Sequence, residues 1–114
     1  MVALEEQKCV PCEGGVDPLS DQEIQSLKPS VPDWKLITEG GDKRLKRTFK
    51  FPDFKQALEF TNQVGEVAES EGHHPVITLT WGEATVVWWT HAINGLHKND
   101  FVMAARSDRL YGSM

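Results

Sequence analysis

Apolar and polar positions alternate from Lys43 to Phe51, where Leu45, Phe49 and Phe51 share one face among basic neighbours, the period of a half-buried strand. Trp34-Lys-Leu-Ile-Thr38 precedes it, and Glu39-Gly-Gly-Asp42 supplies a turn, so the two segments predict a hairpin. Pro52 ends that strand. Asp53 then caps a helix in which Phe54, Ala57, Leu58, Thr61, Val64 and Ala68 recur on one face, and Gly72 closes it. From Pro75 to Trp81 the apolar Ile77, Leu79 and Trp81 alternate with Val76, Thr78 and Thr80, a second half-buried strand. Gly82-Glu83-Ala84 turns the chain into Thr85 to Thr90, where Val86, Val87, Trp88 and Trp89 are apolar on both faces. This predicts a central strand or one that meets a partner subunit.

Two further helices complete the pattern. Ser20-Asp21-Gln22-Glu23 offers a capping box for a short one over roughly Asp21 to Lys28, stopped by Pro29 and Pro32. After a loop from Ala92 to Leu96, a last helix runs from about Lys98 to Arg109 with Phe101, Ala104 and Ala105 inward. The order helix, strand, strand, helix, strand, strand, helix implies an α+β domain, a four-stranded antiparallel sheet with helices packed on one face. Residues 1–18 read as a flexible leader and 19–114 as the domain.

Composition narrows the function classes. The chain has 114 residues, 25% charged and 39% hydrophobic, an ordinary balance for one folded domain. A net charge of −5 disfavours nucleic acid as a partner, and the cluster Lys43, Arg44, Lys46, Arg47 and Lys50 reads as the solvent side of a strand. No apolar stretch is long enough to span a bilayer, and Met1-Val-Ala-Leu-Glu-Glu turns acidic where a secretory leader would be apolar. A cytoplasmic location is the default, with a plastid the alternative if a transit peptide has been removed. Cys9-Val-Pro-Cys12 lacks the following helix of a redox motif and two of the four ligands of structural zinc, so it reads as part of a reduced leader.

Chemistry concentrates late in the chain. His73, His74 and His91, three of the four histidines, lie in one segment with Glu69, Trp81 and Asp100. Histidine, with an unperturbed pKa of about 6.5, gives or takes a proton near neutral pH. Pro75 holds His74 extended, so His73 and His74 should project to opposite sides of the backbone. Val87, Trp89 and His91 share a face, which puts His91 at the mouth of whatever cavity that face lines. If the hairpin sets Trp81 opposite the Trp88 region, aromatic walls would surround a polar rim and suit a flat heterocycle. Metal ligation lacks the usual spacing, and no serine or core cysteine stands in a nucleophile context.

The run Glu69, three residues, His73-His74-Pro75, five residues, Trp81, nine residues, His91, eight residues, Asp100 resembles the signature of the pterin-4a-carbinolamine dehydratases. The likeness extends from about Leu19 to Ala105, through Trp34, Phe49-Lys-Phe51, Pro52-Asp53-Phe54 and Gly95-Leu96. It implies a hydro-lyase that dehydrates 4a-hydroxytetrahydropterin to quinonoid dihydropterin, in tetrahydrobiopterin recycling alongside an aromatic amino acid hydroxylase. It also implies no metal or other cofactor, and a homodimer or homotetramer. By the same resemblance His73 and His91 would be general acids, and His74 would bind substrate and serve as base. Asp100 would orient His91 or touch substrate, Glu69 would orient the histidine pair, Pro75 would shape the site, and Trp34 would wall the pterin pocket beside Trp81. The alternative is a non-catalytic partner protein on the same fold, of the transcription-factor dimerisation or plastid enzyme-assembly type. Two departures stand out. His97 precedes the last helix where serine or threonine is usual and histidine is a poor N-cap, and Val76-Ile77 replaces bulkier residues of animal members.

Overall fold

Local signals set the helix ends. The Ser20 hydroxyl accepts from Glu23 N–H and the Glu23 carboxylate accepts from Ser20 N–H, the reciprocal pair that opens α1 (Asp21–Leu27). Chain direction then reverses between β1 (Lys35–Glu39) and β2 (Asp42–Lys50) through Gly40 and Gly41, both at positive φ, where a side chain would be strained. The Asp53 carboxylate accepts from Gln56 N–H (2.8 Å) to start α2 (Phe54–Glu71), which Gly72 closes in the left-handed region. β3 (Val76–Thr80), β4 (Glu83–Trp88) and α3 (Lys98–Gly112) complete the order. The computed structural model describes residues 3–9 and 16–114, so Cys12 and the rest of residues 10–15 lie outside the described residues.

The sheet is antiparallel in the order β1-β2-β4-β3, with Leu45 opposite Trp88 and Val76 opposite Val87. β4 is therefore a central strand. α2 and α3 cover the inward face, where Trp34, Leu45, Phe49, Phe60, Val86, Trp88 and Phe101 form the core. Burial of this apolar surface supplies the main drive for folding, at about 25 cal/mol per Å² removed from water. None of the described helices is long and apolar enough to cross a membrane.

Three placements differ from the sequence reading. On α2 the buried stripe is Ala57, Phe60, Val64 and Ala68, while Phe54 and Leu58 are exposed. The sheet selects the stripe centred on Phe60, and Leu58 lies a helical step outside it. Trp81 is 71% exposed at the β3–β4 turn. Residues 3–9, expected within a flexible leader, dock on α3, with Leu4 and Cys9 packed against the core.

Candidate active site

The β3–β4 register explains why the histidines converge. Val76 pairs with Val87, so continuing the antiparallel ladder sets the residues before β3 beside those after β4. His73 and His74 thus meet Thr90 and His91 at one end of the hairpin, and Trp81 turns at the other, five rises of about 3.3 Å beyond Val76. This is why Trp81 stands away from the site.

All three imidazoles line a cavity of about 490 Å³, within the usual range of roughly 300–1,000 Å³ for small-molecule sites. Gly72 sets the entry: its N–H reaches back to Ala68 and Glu69 carbonyls, and the His73 N–H follows to the Ala68 carbonyl (3.1 Å). His73 then turns inward. Its Nε2 lies 2.6 Å from Asp100 Oδ1 and its ring stacks on Trp88 at 5.5 Å and 17°. Facing a carboxylate, Nε2 carries a hydrogen and donates, which leaves Nδ1 as the ring atom that can exchange a proton with a bound molecule. His74 projects outward, as the extended backbone requires, with Nε2 2.8 Å from Glu69 Oε1. His91 is exposed at the start of a short 3-10 turn, its ring 4.2 Å from that of Trp89.

Asp100 is wholly buried and serves the fold and the site together. Its Oδ2 accepts from the Thr90 hydroxyl (2.8 Å) and from His97 N–H (2.9 Å), while Oδ1 takes His73. The partner of Asp100 is therefore His73, where His91 or a substrate contact was expected, and Glu69, expected to orient the histidine pair, bonds His74. His97 does cap α3, its Nδ1 accepting from Asn99 N–H (3.0 Å).

Pro75 lines the cavity. Trp34 does not, because it is buried edge-on against Phe49 at 5.8 Å with its indole N–H donating to Asp108 (2.8 Å). Trp89, which the sequence set on the cavity-lining face with His91, lines it, as do Cys9, Glu71, Thr90 and Asn99, to which the sequence reading gave no site role. Thr90 and Trp89 adjoin His91 in sequence, which is a usable signal; Cys9 carries none, being 62 residues from its partner Glu71. Burial foremost, and then the Glu71 carboxylate, push the Cys9 thiol up to about 11 from an ordinary 9.0, against the opposing charge of Arg106. Among the described residues no three histidine, cysteine or carboxylate side chains group as metal ligands.

This arrangement can move protons between a bound neutral molecule and three imidazoles, two of them oriented by carboxylates. Residues 17–110 match the family model described as pterin 4 alpha carbinolamine dehydratase. A protein of Chlorobium limicola that carries the provisional name pterin-4-alpha-carbinolamine dehydratase is 55% identical over 97% of this chain and 98% of its own. One of Marinobacter nauticus under the same name is 53% identical over 97% of this chain and 100% of its own. The crystal structure of a transcriptional coactivator/pterin dehydratase from Brucella melitensis superposes with a TM-score of 0.76 at 28% identity, covering 84% of this chain and 100% of that one. A pterin dehydratase-like RuBisCO assembly factor of the alpha-carboxysome shares the fold, with a TM-score of 0.60 at 22% identity over 72% of this chain and 93% of that one.

Proposed function

The chain belongs to the pterin 4 alpha carbinolamine dehydratase family, and from that premise we propose that it is a hydro-lyase acting on 4a-hydroxytetrahydropterin. Dehydration requires a proton delivered to the leaving hydroxyl and one removed from the neighbouring ring nitrogen. The observation that carries the reading is the convergence of His73, His74 and His91 on one cavity, with His73 fixed by a buried carboxylate. The exposed His91, free of a carboxylate partner among the described residues, is the acid for one face of the carbinolamine, and His73 is the acid for the other. His74, held by Glu69 at the rim, binds substrate and takes the ring proton. The product is then quinonoid dihydropterin, which a separate two-electron reduction must return to the tetrahydropterin used by an aromatic amino acid hydroxylase.

A cytoplasmic homodimer or homotetramer is the setting we propose. Catalysis is favoured over a purely structural partner role by the complete set of three histidines on one cavity. The test is the dehydration rate of freshly generated 4a-hydroxytetrahydropterin, followed by loss of its ultraviolet signal against the spontaneous background. The protein should accelerate the reaction strongly, and His74→Ala should lose about 10²-fold or more, the usual contribution of a positioned acid or base. No acceleration from folded protein would rule out the dehydratase reading.

A further inference from the structure

Of the residues that line the cavity, Cys9 alone comes from outside the stretch from Glu71 to Asn99. Its position is tied down. The Cys9 N–H donates to Glu71 Oε1 (2.8 Å), and that same oxygen lies 3.2 Å from the Arg106 guanidinium of α3. Glu71 stands two residues before His73, so the tether joins the N-terminal segment to the corner that carries the histidines. Leu4 packs on the core and anchors the other end of the segment.

A second wall of the cavity is aromatic. Trp89 lines the same cavity at 5% exposure, and its indole N–H has no hydrogen-bond partner among the described residues. The Arg44 guanidinium covers the Trp89 ring at 3.8 Å and holds it in place.

We propose that the N-terminal segment forms one wall of the pterin site and that Cys9 contacts the bound pterin, as a specificity-determining residue. The inference rests on the pterin reading above. Held protonated at neutral pH, the thiol acts as a small apolar contact with a weak S–H donor, and it takes no part as a nucleophile. The wall excludes water from that side of the ring, and its bulk at Cys9 limits which pterin substituents fit.

The test uses full-length Cys12→Ser protein, in which Cys9 is the single thiol. Its modification by an aromatic disulfide reagent is timed at pH 8.5 with and without saturating 7,8-dihydrobiopterin, and binding of the pterin is followed in the same sample by quenching of tryptophan fluorescence. Bound pterin should slow modification by about tenfold or more, because the reagent must reach the thiolate. In parallel, Cys9→Phe should raise KM about tenfold with a smaller change in kcat. Pterin binding with an unchanged modification rate would overturn the inference and leave the dehydratase reading standing. Absence of both binding and dehydration overturns that reading, and this inference with it.

Discussion

At Asp100 three donors converge on one buried carboxylate: the Thr90 hydroxyl, the His97 amide and the His73 ring. An asparagine there offers a single acceptor oxygen, so its amide nitrogen must face at least one of those donors. Asp100→Asn should therefore lower stability by about 1–3 kcal/mol, the cost of leaving a buried polar group unsatisfied, as read from urea unfolding. The same change releases His73, and kcat should fall at least about tenfold while KM moves little, since the reacting ring loses the carboxylate that orients it and pterin contacts remain. Unchanged kcat in the folded variant would separate Asp100 from the chemistry. The aspartate was legible in the sequence as part of a spaced signature; its partner was not. The ladder that leads from β4 lifts His91 into an exposed turn and leaves His73 over the start of α3.

The end of α2 is decided by Gly72, at φ 63 and ψ 27. A Cβ added there would meet nothing within 4 Å, so Gly72→Ala carries only the conformational penalty of the left-handed region, about 1–2 kcal/mol. Its urea midpoint should fall accordingly, and Gly72→Asn, which tolerates this conformation better, should lose less. Helix ends were readable because a cap depends on residues three or four positions apart. The phase of the buried face was harder to read, since Phe54, Leu58 and Phe60 are all apolar and only contact with the sheet buries Phe60 and exposes the other two. His97 illustrates the opposite case: a poor capping residue by type serves because its Nδ1 and the Asp100 carboxylate complete a capping box.

For the whole molecule, Asp108 of α3 clamps the sheet through Arg47 of β2 (2.6 Å) and the indole of Trp34 (2.8 Å). Burial holds the Asp108 carboxyl above its ordinary 3.8, opposed by those two donors and the Arg47 charge. A carboxyl raised in the folded state gives its full contribution below its unfolded pKa, and that contribution is lost as pH rises through the folded value. Ionised at neutral pH, Asp108 depends on Arg47 for compensation. Arg47→Met keeps much of the packing over Phe49 and Tyr111 but removes the charge. It should cost about 1–3 kcal/mol at pH 7 and progressively less as acidification protonates Asp108, whose carboxyl is held above its ordinary range. A pH-independent loss in urea unfolding would assign the effect to packing instead.

What the sequence by itself determined is whatever depends on near neighbours. The capping box at Ser20, the glycine turn before β2 and the alternation along β2 and β3 set the elements, and the spacing of His73, His74 and His91 marked the candidate site. The tertiary structure decided the pairings between distant residues. It gave Asp100 to His73, sent Trp34 into the core and Trp81 to the far turn, and brought Cys9 to the cavity wall beside Glu71. Period and cap chemistry act over a few residues. Which carboxylate meets which ring depends on the packing of α3 and the N-terminal segment against the sheet, a contact made only once the whole chain has folded.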